Sequence, residues 1–191
     1  MSDRQSGEQP HRLFRILPTA QPTEDDFKSK LHLGIPCPVA DPDVQRRWTG
    51  LSVFGSEEQA CRVVRRLPML GSFIAELNIL PGAGMRAEPT PGPGHYTIGG
   101  DPGRGTALAG RGASDMPDTS LMYEVWELET RSLVAAYPSE VEALALIRQM
   151  LEYGWTADEI VLAAENEGFE PEELPPFLTG DALAQAARAD D

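Results

Sequence analysis

Five arginines crowd the first half of the chain: Arg46 and Arg47, then Arg62, Arg65 and Arg66. Guanidinium groups at that density can grip phosphate, RNA or an acidic protein surface, because each presents a rigid fork of donors. Arg62, Arg65 and Arg66 are therefore the candidate binding residues. The other reactive side chains are scattered. His11, His32 and His95 stand apart, Cys37 sits between Pro36 and Pro38, and Cys61 is alone. With no HExxH or CxxC spacing, these residues suggest no metal site, and two cysteines cannot build a disulfide framework. Gly100-Asp101-Pro102-Gly103-Arg104-Gly105-Thr106 lacks the lysine of a phosphate-binding loop, and no GxSxG elbow occurs. Asp25-Asp26 and Glu172-Glu173 are adjacent carboxylates of the kind found in solvated turns. A general acid would need burial or a close like charge, which the sequence does not display.

Charge is placed unevenly along the 191 residues. Residues 1–80 carry 10 basic and 10 acidic side chains, whereas residues 121–191 carry 3 and 16, a net charge of −13. Such a surface repels nucleic-acid phosphate and favours solubility or a basic partner. The longest uncharged run, Pro89–Gly100, is too short and too rich in Pro and Gly to span a membrane. No basic-then-apolar leader opens the chain, which argues against export and for a cytoplasmic protein.

Between residues 81 and 120 there are 10 Gly and 6 Pro. Pro removes backbone donors and Gly loses much entropy on ordering, so most of this stretch reads as linker or long loop. His95-Tyr96-Thr97-Ile98 is its one segment with strand character. The organisation expected is a disordered tail over 1–10, an N-terminal α+β unit over 11–98, a linker over 99–120 and an acidic ββαα unit over 121–191. The fold class is α+β, two small sheet-plus-helix units each with its own modest core.

Local signals place the elements. Leu13–Leu17 reads as a strand. Asp41 caps a short helix with Pro42 in its first position. Leu51–Phe54 is a strand, and Ser56 with Gln59 forms a capping box for a helix reaching about Leu67. Phe73–Ile79 resumes as a strand, which makes a βαβ-like unit, parallel if its crossover is right-handed. Tyr123–Leu128 and Leu133–Tyr137 read as a hairpin. Ser139 with Glu142 opens a helix whose apolar face holds Ala143, Leu144, Ile147, Met150 and Leu151. Gly154 ends that helix. Thr156 with Glu159 repeats the capping pattern and predicts a further helix ending at Gly168, and Leu178–Ala184 predicts a last short one.

Trp48-Thr49-Gly50-Leu51-Ser52-Val53, Leu70-Gly71-Ser72-Phe73-Ile74-Ala75-Glu76-Leu77 and Gly94-His95-Tyr96-Thr97 resemble segments W-x-G-x-S-V, LG-x-x-IAEL and GHYT-x-x-GDP of short, uncharacterised bacterial proteins, over about residues 12–102. Val125–Arg148 resembles a second uncharacterised bacterial ββα segment. Neither resemblance implies an activity. The strand–helix–strand arrangement is also loosely similar to part of the ADP-ribosyltransferase fold, in which a split sheet holds NAD. That resemblance implies an Arg or His on an early strand, a Ser or Tyr on a middle strand and a carboxylate near the nicotinamide ribose. Arg15, Ser52 and Glu76 would fill those roles.

The leading expectation is a non-catalytic interaction or regulatory protein, without metal or cofactor, whose acidic C-terminal unit binds a protein partner with a basic surface. Direct nucleic-acid binding and membrane association are not expected. An NAD-using enzyme built on Arg15, Ser52 and Glu76 is the first alternative, and an acidic nucleic-acid mimic the second. The acidic unit could also dock on the arginines of its own chain.

Overall fold

Alternating and β-branched residues make most of the strands, and capped amphipathic runs make the helices. In a computed structural model, residues 11–80, 83–92, 94–99, 121–166 and 168–189 are described. The expected tail over 1–10 and nearly all of the expected linker over 99–120 lie outside them. The described residues form an α+β fold with two antiparallel sheets and four α-helices. The five-stranded sheet contains β1 (His11–Leu17), β2 (Leu51–Phe54), β3 (Phe73–Ile79), β4 (Arg86–Pro89) and β5 (His95–Gly99) in the order β3-β1-β2-β5-β4. The three-stranded sheet contains β6 (Met122–Glu127), β7 (Ser132–Tyr137) and β8 (Ile160–Glu165) in the order β7-β6-β8.

Helix α1 (Pro42–Trp48) starts where Asp41 accepts hydrogen bonds from the backbone of Asp43 and Val44. Helix α2 (Glu57–Arg66) starts on Ser56, whose hydroxyl accepts from the Gln59 backbone. This helix links β2 to β3. Both strands run antiparallel to β1, so they point the same way, but β1 lies between them. The unit is thus a split βαβ, with the intervening ladder supplied from earlier in the chain. Gly71, at φ 135°, makes the turn into β3, and a Cβ there would meet the Leu17 carbonyl oxygen at 2.3 Å.

Helix α3 (Glu140–Glu152) buries Ala143, Leu144, Leu146, Ile147 and Met150. Its N-cap, Ser139, makes no side-chain capping bond, so the expected box is not formed there. The larger difference lies after Thr156. The capping box forms, with the Thr156 amide and hydroxyl both donating to Glu159 Oε2. Yet the helix stops after one 3-10 turn, Ala157–Glu159, and the following residues become β8. Ile160–Glu165 is buried throughout. A strand covered on both faces reads as a continuous apolar run, which local capping chemistry cannot distinguish from a buried helix. Strand β4 falls inside the stretch read as linker or loop, and helix α4 (Gly180–Ala189) runs past its expected end.

The two apolar cores do not follow the expected division of the chain. One joins Val39, Val44 and Trp48 to Val125, Ile147, Ile160, Leu162 and Leu183. The other joins Phe14, Ile16, Phe54, Ala60, Val63 and Leu67 to Trp126, Leu133, Val161 and Ala163. Each core draws on both halves because the three-stranded sheet is covered on both faces. Burial at both faces is what gives β8 its unbroken apolar character.

Candidate functional site: an arginine-clamped seam and an acidic outer face

Arg15 enters the seam from β1 and is only 2% exposed. Its Nε donates to the Asp26 carbonyl at 3.1 Å, Nη1 to the Ser52 carbonyl at 2.7 Å and Nη2 to the Thr130 carbonyl at 2.6 Å. Burial lowers its pKa to about 10, with nearby Arg131 adding to the effect, so it stays cationic at neutral pH. The sequence-derived pair Arg15 and Ser52 is thus brought together, through the backbone of Ser52.

The Ser52 hydroxyl continues the network. It accepts from the Leu133 amide at 3.1 Å and lies 2.5 Å from His95 Nε2. The other ring nitrogen, Nδ1, faces Thr90 Oγ1, so both nitrogens of His95 are engaged by hydroxyls. Burial, helped by the cations Arg15, Arg47 and Lys30, pushes His95 down to about 3, so the ring is neutral. Phe54 and Trp126 meet it edge to face at 5.4 and 5.7 Å. A serine beside a histidine is one element of nucleophilic catalysis. Here the hydroxyl is buried and engaged with a backbone amide, and its visible work is to tie β2, β5 and β7 together.

Glu76 does not join this cluster. The register pairs it with Phe14 and pairs Arg15 with Ala75, so Glu76 and Arg15 occupy opposite faces of the sheet. Glu76 is exposed on β3 and receives Arg12 at 2.6 Å.

The arginines expected to form a binding patch turn mostly inward. Arg62 meets Glu165 at 2.7 Å and the Asn166 carbonyl at 2.8 Å, and also donates to the Phe169 carbonyl. Arg66 donates through Nη2 to the Pro175 carbonyl, while its buried Nε has no partner. Arg47 donates to the Val134 carbonyl at 3.2 Å. Arg65 is exposed, and exposed Arg46 pairs with Asp43 and Glu88. Arg15, Arg47, Arg62 and Arg66 therefore all reach across to the C-terminal half, and backbone carbonyls are their main acceptors.

Three glutamates are buried at the seam, and one of them meets an arginine. Glu165 takes Arg62. Glu127 accepts from the Glu129 amide at 2.5 Å and from the amide and hydroxyl of Thr130, and lies 3.9 Å from Lys30 Nζ. Lys30 itself sits 3.9 Å from the Trp48 ring centre, and burial lowers its pKa to about 8. Glu124 accepts from Trp126 Nε1 at 2.9 Å. Burial, reinforced by the charge of Glu165, raises it to about 8, so it holds its proton at neutral pH. Gly92, at φ 110°, lets the β4–β5 loop close over it, since a Cβ there would lie 2.6 Å from Glu124 Oε1.

Outside, the picture reverses. Glu129, Glu140, Glu142, Glu152 and Asp158 are exposed, and so are Glu159, Glu170, Glu172, Glu173 and Asp181. Among the described residues from 121 onward, Arg188 is the one exposed basic side chain. No ion pair between described residues uses any of these ten carboxylates. The inward contacts of His95, Glu124 and Lys30 escaped the sequence reading. The one available signal was the run Glu124-Val125-Trp126-Glu127, charge interleaved with large apolar residues on a strand.

Fold and site together define an α+β protein whose two sheets are clamped by arginines and whose C-terminal half is acidic outside. Compared with family models, curated proteins and solved structures, the chain matches none. Among the described residues, no helix is long and apolar enough to cross a membrane.

Proposed function

We propose that this is a non-catalytic interaction or regulatory protein that binds a basic partner through the exposed carboxylates of its C-terminal half. One observation carries the reading: ten exposed carboxylates face a single exposed Arg188 over residues 121–189, while Arg15, Arg47, Arg62 and Arg66 are engaged internally. A field of one sign steers an oppositely charged partner and speeds its approach. Free Cys37 and Cys61 fit a reducing compartment such as the cytoplasm.

The test compares the full chain with an E170Q/E172Q/E173Q variant, each immobilised and exposed to a cell extract at low and high salt. Basic proteins should be retained at low salt and released as salt rises, and the variant should hold them about tenfold more weakly. An identical retained set on both proteins, insensitive to salt, would refute the proposal.

A further inference from the structure

Sheet edges expose rows of unpaired backbone donors and acceptors, and proteins usually close them. Three of the four edges here are closed or blunted. On β7, the Leu133 amide bonds Ser52 and the Val134 carbonyl accepts from Arg47. On β8, Leu162 exchanges both backbone bonds with Leu178. Strand β4 has only four residues and ends in Pro89, which cannot donate.

Among the described residues, the fourth edge has no such cover. Strand β3 has seven residues, Phe73-Ile74-Ala75-Glu76-Leu77-Asn78-Ile79, with no Pro, Gly or Lys. Among the described residues, its backbone ladder runs to β1 alone. Phe73 at its start is 43% exposed, and Leu80 just beyond its end is 64% exposed.

The strand is complementary to itself. Set two copies antiparallel about a two-fold axis at Leu77. Ala75 then faces Ile79 of the second copy, Ile74 faces Leu80, and Glu76 faces Asn78. From Ile74 to Leu80, every apolar residue in that register meets an apolar one, and each carboxylate meets an amide rather than a like charge. We propose that β3 pairs with β3 of a second copy of this chain, which joins two five-stranded sheets into one across a symmetric dimer.

Asn78 is exposed, so it can be changed without disturbing either core. N78E would place glutamate opposite Glu76 at two symmetry-related positions, whereas N78K would place lysine there. Within one chain Asn78 lies opposite Arg12 on β1 and donates to Glu76 at 3.2 Å, so each variant meets one like and one opposite charge there. Thermal unfolding of both variants, run beside the association measurement, separates loss of folding from loss of pairing. Sedimentation or light scattering over a concentration series should show a dimer for the full chain. N78E should weaken it about tenfold, and N78K should hold it as tightly or more so. A wild-type chain that stays monomeric at every concentration, or two variants that respond alike, would overturn the proposal.

Discussion

The two halves use their charges in opposite ways. The N-terminal half is neutral by composition, and four of its arginines point into the seam, where they hold carbonyls of Thr130, Val134, Asn166, Phe169 and Pro175. Among the described residues of the C-terminal half, three glutamates turn inward and ten carboxylates lie outside. The surface is consequently more polarised than residue counts suggest. An arginine fork suits this task, since it can satisfy several backbone oxygens at once while remaining charged. Arg15 offers the hardest test of the contrast. Arg15→Met would take a charged donor from three carbonyl oxygens, two of them in fully buried contacts, and should cost about 3–5 kcal/mol in urea unfolding. Arg65→Met, at an exposed position on the same half, should cost less than about 0.5 kcal/mol. Similar losses for the two variants would erase the distinction between inward and outward arginines.

Among the seam's groups with shifted protonation, Glu124 and His95 have pH effects that oppose one another. Glu124, raised from 4.5 to about 8, keeps a proton that the unfolded chain releases. Its stabilising effect is complete below pH 4.5 and fades as pH rises to 8. His95, lowered from 6.5 to about 3, stays neutral where the unfolded chain would be protonated. Its effect is complete above pH 6.5 and fades as pH falls towards 3. Glu124→Gln should therefore remove the alkaline slope, a change of roughly 2–4 kcal/mol in the stability difference between pH 5 and pH 8. Denaturant midpoints at those two values measure it. If the variant keeps the wild-type slope, Glu124 is not the group that loses its proton there.

Local chemistry made much of the fold readable. Asp41 with Pro42, Ser56 before Gln59, and Gly154 after α3 mark helix ends in the sequence and do so in the structure. Where the outcome depends on what covers a segment, the local signal misleads. The Thr156 box is real, but Ile160–Glu165 lies between two apolar layers and extends as β8. The site was less legible for the same reason. The adjacent Glu172-Glu173 pair looks solvated from its own sequence, but nothing local marks Glu165, between Ala164 and Asn166, as an inward charge. Its role depends on Arg62, 103 residues away. Arg62 and Arg66 stand out as cations in the sequence, but apart from Glu165 their acceptors are carbonyls, and carbonyls have no sequence signature.

The smallest expected effect separates the outer face from the seam most cleanly. Neutralising Glu172 and Glu173 removes charge from side chains that lie exposed and enter no ion pair between described residues. Each substitution should move stability by less than about 0.5 kcal/mol, and upward where repulsion among neighbouring carboxylates is relieved. That repulsion is screened by salt, so wild-type stability should rise with ionic strength and the E172Q/E173Q variant should rise less. The buried contacts of Arg15 and Glu127 are shielded from ions and should contribute little to this slope. A thermal unfolding series in increasing salt measures both. If wild type instead loses stability as salt is added, exposed ion pairs rather than buried carbonyl clamps hold the halves together.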